Sequence, residues 1–209
     1  MSEFQSEREE AARKLGPLKG LIAGALIVGV AAVLYVIVSA SFKPAGVLDL
    51  KEFKKASLEK LEVPPEPRSA PATVFTDMDG KPHTLAEFKG QVVVMNLWAT
   101  WCAPCKREMP TLAKLAAAYA TQPVKVLPIS VDRDTDVNLI QAEMAANSPL
   151  QSYRDPGYKM SFELEPRAAG YPTTVIYDKQ GRERARLAGD ADWSGKEARG
   201  LVEALLAEH

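Results

Sequence analysis

Cysteine and histidine are scarce in this 209-residue sequence, which contains two of each. Both cysteines, Cys102 and Cys105, stand together in one Cys-x-x-Cys motif. A secreted domain held together by disulfides carries more cysteines than this. A structural zinc site needs four ligands, and the isolated His83 and His209 do not complete one. We therefore expect no metal site, and no cysteine remains for an architectural role.

An excess of charge is also missing. The formal net charge is -1, and no basic cluster is present, which argues against a nucleic acid partner. From Gly20 to Phe42 there is no charged residue. A transmembrane helix needs about 20 apolar residues, so we predict a membrane anchor at residues 20–40. A cleaved signal peptide is the alternative, because Val38-Ser39-Ala40 resembles a cleavage site, although the apolar run is longer than usual.

This anchor divides the chain into four predicted parts. Residues 1–19 form a polar, cytoplasmic tail, and residues 20–40 form the anchor. Residues 41–71 form a proline-rich linker, in which residues 48–61 have the apolar spacing of a short amphipathic helix. That helix would lie on the membrane, on the domain or in solvent. Residues 72–209 are long enough to fold around one core.

The Cys-x-x-Cys motif lies between a predicted strand and a predicted helix. Residues 91–98 are an apolar run typical of a buried strand, and residues 104–120 have helical apolar spacing. This places Cys102 at a helix N-terminus, where unpaired N–H groups and the helix dipole favour a thiolate. Cys105 follows one turn later. The context is typical of a redox motif. A permanent structural disulfide is less favoured, because so short a loop constrains the unfolded chain little.

The remaining elements predict an α/β fold. Strands are expected at 73–76, 124–131, 173–177 and 184–187, and helices at 135–146, 157–164 and 196–207. Early alternation of strands and helices favours parallel pairing, and the final hairpin adds antiparallel strands.

Several motifs in this order resemble the thioredoxin superfamily. The Trp-Cys-x-Pro-Cys motif starts the first helix, Pro110 lies five residues after Cys105, and Tyr171-Pro172-Thr173 precedes a strand. The run from Asn96 to Cys105, followed by Glu108-Met109-Pro110, is similar to the membrane-anchored TlpA/ResA/CcmG group. The resemblance implies a thioredoxin-like fold, a central mixed sheet flanked by helices, with an N-terminal transmembrane helix.

The resemblance also implies a function and a location. It implies a thiol-disulfide oxidoreductase tethered to the cytoplasmic (inner) membrane by a single span, with its catalytic domain in the periplasm. Such a protein reduces disulfides in client proteins during cytochrome c maturation or during assembly of the copper centre of cytochrome oxidase. Its electrons come from a membrane thiol donor, and it needs no cofactor.

Roles follow for eight residues. Cys102 is the expected attacking thiolate and Cys105 the resolving thiol, and Ala103 and Pro104 place no cation beside them, which predicts a reductant. Asn96 replaces the buried acid of thioredoxins and cannot accept the proton of Cys105. For Glu108 we expect a solvated helix face rather than a proton relay. The expected substrate-binding residues are Trp101, Tyr171 and Pro172, the last in a cis peptide bond, and the supporting residues are Pro104, Asn96 and Glu108.

Three other functions are weighed against this one. A copper-binding or metal-delivery protein would use Cys102 and Cys105 as ligands. However, copper carriers have a wider cysteine spacing and a histidine as the third ligand, and neither is visible here. A tethered interaction module would carry a vestigial redox site. A peroxidase of related fold is disfavoured, because no P-x-x-x-T-x-x-C motif is present.

Overall fold

The computed structural model describes residues 48–208 and, in addition, Gly29. A compact unit begins at Asp49 and forms the thiol domain. The predicted tail, and the predicted anchor apart from Gly29, lie outside the described residues. Among those described residues, no helix combines the length and apolarity needed to cross a membrane.

An eight-stranded mixed sheet forms the centre of the domain. The strands are β1 (Arg68–Ser69), β2 (Phe75–Thr76), β3 (Pro82–His83), β4 (Val92–Trp98), β5 (Val124–Ser130), β6 (Tyr153–Arg154), β7 (Thr173–Tyr177) and β8 (Arg182–Ala188). Their spatial order is β1-β8-β7-β4-β5-β6-β2-β3. The α-helices are α1 (Ala103–Ala118), α2 (Val137–Ala146), α3 (Lys159–Glu163) and α4 (Lys196–Ala207). The α/β, thioredoxin-like class predicted from the sequence is thus confirmed.

Strand β4 lies inside the sheet, as its almost uninterrupted apolar sequence predicts. All seven of its residues are buried. It pairs in parallel with β5 and antiparallel with β7, so both of its edges are satisfied. A strand buried on both faces needs no polar alternation. Because the carboxyl ends of β4 and β5 lie at the same edge, the loops that follow them meet there.

A tight turn lies at one edge of the sheet, between β2 and β3. The Asp77 carboxylate accepts hydrogen bonds from the backbone N–H groups of Asp79 and Lys81, at 3.0 and 2.9 Å. Gly80 has a φ of 84°, which a residue without a Cβ adopts at no steric cost. The turn joins β2 to β3 as an antiparallel hairpin. Aspartate side chains stabilise such turns by bonding the backbone that follows them.

Residues 49–61, predicted to belong to the linker, pack on the domain. They form two 3₁₀ turns, Leu50–Phe53 and Ala56–Leu58. Leu50, Leu58 and Leu61 are fully buried. The apolar spacing that resembles an amphipathic helix therefore serves the domain core. Of the membrane, the domain and solvent, the structure selects contact with the domain.

The proline-rich part of the linker also belongs to the sheet. Glu62 exchanges backbone hydrogen bonds with Arg186, at 2.7 and 2.8 Å. Arg68 and Ser69 then pair with β8 as strand β1. Short edge strands of this kind cover the exposed hydrogen-bonding groups of a sheet. The compact unit thus includes residues 49–71.

Candidate active site

The two cysteines lie where β4 gives way to α1. Cys102 is the N-cap of α1, and its Sγ accepts a hydrogen bond from the backbone N–H of Cys105, at 3.2 Å. The two sulfur atoms form a disulfide. The Cys102 side chain is 6 % exposed, whereas Cys105 is completely buried. Of the two cysteines, only Cys102 therefore keeps any exposed surface. Pro104 lies in the first helical turn, where its missing N–H leaves no bond unmade.

A buried carboxylate holds the loop that leads to Cys102. Asp132, which is fully buried, accepts hydrogen bonds from the backbone N–H and the hydroxyl of Thr100, at 2.9 and 2.8 Å. The Ser130 hydroxyl donates to the same carboxylate at 2.7 Å. Sequence reasoning missed these residues. The sequence signal that could have indicated them is a polar residue just after each of two predicted strands, Thr100 after β4 and Asp132 after β5.

Glu108 lies one helical turn after Cys105, and its environment contradicts the solvated helix face that we expected. Its side chain is 2 % exposed. Asn96 Nδ2 donates to Glu108 Oε1 at 2.7 Å. The backbone N–H of Ala191 and the Trp193 Nε1–H donate to Oε2, at 3.1 and 2.9 Å. The expectation failed because all three donors come from other elements, which local periodicity does not reveal.

This burial changes the acidity of the carboxyl. Burial raises the pKa of Glu108 to about 7, against the opposing effect of hydrogen bonds from Trp193, Ala191 and Asn96. A charged carboxylate in an apolar interior loses the solvation that water gives it. A carboxyl with this pKa is poised to change its protonation state close to neutral pH, and it lies one turn after the buried cysteine on the same helix.

Asn96, a residue of strand β4, connects this carboxyl to the neighbouring strand β7. It is fully buried, and its Nδ2 also donates to the Thr174 hydroxyl at 2.9 Å. Its Oδ1 has no hydrogen-bond partner within residues 48–208. An unpartnered buried acceptor is uncommon, since such groups are nearly always paired. A protonated Glu108 has an O–H group that needs an acceptor. The Asn96 carbonyl supplies one if the Asn96 amide rotates by 180°, so that Oδ1 faces Glu108.

The predicted substrate-binding residues form an aromatic rim beside the disulfide. Trp101 is 62 % exposed, although it directly precedes Cys102. Its ring centroid lies 5.9 Å from that of Tyr171 in an edge-to-face arrangement. The Tyr171–Pro172 peptide bond is cis, as predicted. Pro172 is buried, and its carbonyl accepts a hydrogen bond from Gly189. The structure thus brings Trp101 and Tyr171 together.

Comparison with known proteins agrees with this geometry. Residues 67–185 match the AhpC/TSA family. The chain is 30 % identical to thiol-disulfide oxidoreductase ResA of Geobacillus thermodenitrificans, over 58 % of this chain and 68 % of the relative. It is 31 % identical to ResA of Bacillus thuringiensis subsp. konkukian, over 63 % of this chain and 73 % of the relative. A secreted thiol-disulfide isomerase of Corynebacterium glutamicum has a similar structure, with a TM-score of 0.63 and 26 % identity over 71 % of this chain and 93 % of the other.

Fold, cysteine pair and relatives agree on the class: a thioredoxin-like thiol-disulfide oxidoreductase. More particularly, the chain belongs to the AhpC/TSA family and, within the thioredoxin superfamily, to the TlpA/ResA/CcmG-like group.

Proposed function

We propose that this protein is a reductant that transfers two electrons from Cys102 and Cys105 to disulfides in client proteins. The observation that supports this proposal most strongly is the difference in burial between the two cysteines. Cys102, on a helix N-terminus, keeps a small exposed fraction of 6 %, whereas Cys105 is completely buried. The helix N-terminus stabilises a thiolate on Cys102, which is the form that attacks a disulfide.

The first step forms a mixed disulfide. In the reduced protein, the Cys102 thiolate attacks one sulfur of the client disulfide. A new bond joins Cys102 to the client, the client's own S–S bond breaks, and its other sulfur leaves as a thiolate. Cys102 is now covalently bound to the client, so a second step is required to release it.

The second step releases the reduced client. Cys105 gives its proton to the Glu108 carboxylate, one turn along α1, and attacks the Cys102 sulfur. The Cys102–client bond breaks, the second client sulfur leaves as a thiolate, and the Cys102–Cys105 disulfide forms. A carboxyl whose pKa lies near 7 suits this transfer, because general bases work best near the operating pH. Glu108 then supplies the function for which Asn96 is unsuited.

Client binding is assigned to the rim. In this proposal Trp101 shields the disulfide and contacts the client. The backbone at Tyr171 pairs with the client segment, and Pro172 fixes the shape of that edge. Trp101, which directly precedes Cys102, contacts the ring of Tyr171, and Pro172 follows Tyr171 in the chain. An exposed tryptophan next to a reactive sulfur is the kind of residue that dominates protein–protein contacts.

We further propose that the protein acts outside the cytoplasmic membrane, tethered by residues 20–40 and supplied with electrons by a membrane thiol donor. Its clients would be proteins of cytochrome c maturation or of copper-centre assembly in cytochrome oxidase. The uncharged run from Gly20 to Phe42 and the similarity to two ResA proteins support this proposal. Fractionation of cells into soluble and membrane parts tests the location.

Trapping of mixed disulfides tests the reductase mechanism. In the Cys105→Ala variant the first step proceeds and the second does not, so Cys102 should remain covalently bound to clients. These adducts appear on non-reducing gels and vanish with dithiothreitol. The Cys102→Ala variant is the matched control and should form none, because Cys105 is buried. A folded Cys105→Ala protein without adducts would refute the proposed order of attack.

A further inference from the structure

Helix α3 and the loop before it form a fixed platform beside the rim. The Asp155 carboxylate accepts a hydrogen bond from the backbone N–H of Met160, at 2.8 Å. The Asp155 N–H donates to the carbonyl of Ser130 at the end of β5, also at 2.8 Å. Met160 is fully buried in the main core. The start of the segment is therefore attached to the sheet and cannot turn freely.

The far end of the platform is attached as well. Leu164 is 1 % exposed and belongs to the same core cluster. The Thr73 hydroxyl donates to the Glu163 carboxylate, and the Ala168 N–H donates to the carbonyl of Ser161 at 3.0 Å. Side chains on α3 consequently have fixed positions relative to the sheet.

Two side chains of the platform meet the tyrosine of the rim. Ser161, which is 5 % exposed, shares a hydrogen bond with the Tyr171 hydroxyl, with an oxygen–oxygen distance of 2.8 Å. The Tyr158 ring lies 6.4 Å from the Tyr171 ring, tilted by 41°. The Tyr171 ring also contacts Trp101. The chain of contacts runs from the buried platform to the exposed tryptophan beside Cys102.

We propose that Ser161 and Tyr158 are positioning residues that hold Tyr171 against Trp101, and that the resulting aromatic surface selects clients with an apolar side chain next to the reactive cysteine. This inference rests on the proposed function. The hydroxyl bond fixes one end of the Tyr171 ring, and the Tyr158 ring limits its rotation. Fixed aromatic rings give contact area with little loss of conformational entropy on binding.

The chemistry of the rim determines which clients fit. Trp101 offers a largely exposed indole ring, and ring contacts extend that surface to Tyr171 and Tyr158. An apolar or aromatic side chain in the client can pack against these rings as the client cysteine reaches Cys102. A small polar side chain at the same place gains little from them. Discrimination therefore depends on the placement of the rings.

The test compares two synthetic peptides with the reduced full-length protein. Each peptide contains a Cys-x-x-Cys disulfide, and the residue before its first cysteine is phenylalanine in one and serine in the other. The rate constant for reduction of each peptide is measured in single turnover, and the ratio of the two is the selectivity. We expect the wild-type protein to prefer the phenylalanine peptide. In the Ser161→Ala variant this selectivity should fall about fivefold. That factor corresponds to about 1 kcal/mol, the net contribution of a typical hydrogen bond.

The ratio of the two rate constants distinguishes a loss of Tyr171 positioning from general damage to the site, because a damaged site reduces both peptides more slowly by the same factor. The Tyr171→Phe variant removes the other hydroxyl of the Ser161–Tyr171 hydrogen bond. Its selectivity, and that of the variant carrying both substitutions, should therefore fall by the same factor as in Ser161→Ala. The control is Ser152→Ala, which removes a serine that is 3 % exposed and bonded to backbone only. Its selectivity should equal that of the wild type.

The remaining outcomes contradict either the positioning inference or the reductase proposal. A wild type that reduces both peptides at equal rates, or a Ser161→Ala variant with unchanged selectivity, overturns the positioning inference and leaves the reductase proposal intact. Equal slowing of both peptides in Ser161→Ala also overturns it. A wild type that reduces neither peptide overturns the proposed function, and the inference fails with it.

Discussion

The buried carboxyl of Glu108 should make the protein less stable as pH rises. Its pKa is about 7 in the folded chain and about 4.3 in an unfolded chain. Between these values the folded chain binds one more proton than the unfolded chain, so the free energy of unfolding falls by about 1.4 kcal/mol per pH unit. Summed over the interval, the loss is about 3 kcal/mol at pH 8 relative to pH 4.

The Glu108→Gln substitution should remove this pH dependence. An amide resembles the protonated carboxyl in shape and carries no charge, so the variant has no desolvation penalty at high pH. Its amide N–H groups need an acceptor, which the Asn96 carbonyl can become if that side chain turns over. We expect the difference in stability between variant and wild type to shift in the variant's favour by about 3 kcal/mol from pH 4 to pH 8.

Urea unfolding of the oxidised full-length protein, followed by tryptophan fluorescence at several pH values, measures this difference. Other titrating groups contribute equally to both proteins and cancel. Glu59→Gln is the matched control, because Glu59 is exposed, and its curve should run parallel to that of the wild type. Parallel curves for Glu108→Gln and the wild type would refute the reasoning, because the carboxyl would then be charged without penalty.

Three further substitutions test other contacts by the same urea assay. Trp193→Phe removes a donor to the charged form of Glu108, so it should destabilise the protein more at pH 8 than at pH 5, by about 1.5–3 kcal/mol; an equal loss at both pH values would contradict this. Leu58→Ala should cost about 2–5 kcal/mol, since Leu58 is fully buried, whereas a surface position would cost almost nothing. Hydrogen bonds to Glu87 and Asp77 raise the pKa of His83, so its stabilising effect is complete below about pH 6.5 and disappears as pH rises through the raised value. His83→Gln should accordingly be more harmful at about pH 5.5 than at about pH 9, and the reverse order would exclude the ion pairs.

The elements that sequence predicts well here are those whose signal is local. Residues 92–98 are apolar almost without interruption, which is typical of a strand covered on both faces. Helix α4 shows one apolar stripe, and its bounds agree with the prediction at both ends. The cis bond before Pro172 was predicted from a motif that is also local in sequence.

The parts that failed depend on contacts between distant residues. Glu108 follows two basic residues and resembles a surface glutamate, yet its partners lie 12 and 85 positions away in Asn96 and Trp193. Likewise, the prolines of residues 64–67 indicate an extended linker. Only the position of β8 shows that the chain just beyond them becomes a strand. No periodic pattern within a segment reports which other segment will cover it.

The redox equilibrium of the Cys102–Cys105 pair with glutathione or dithiothreitol tests the proposed reductase function most directly. Thioredoxin lies at about -270 mV and the strongest oxidants of this fold at about -120 mV. No cation stands between the cysteines to stabilise the reduced form, since Ala103 and Pro104 occupy those positions. We predict a reduction potential at or below about -220 mV, as a reductant requires. A potential near about -120 mV would identify an oxidant and contradict the assignment of this protein as a reductant.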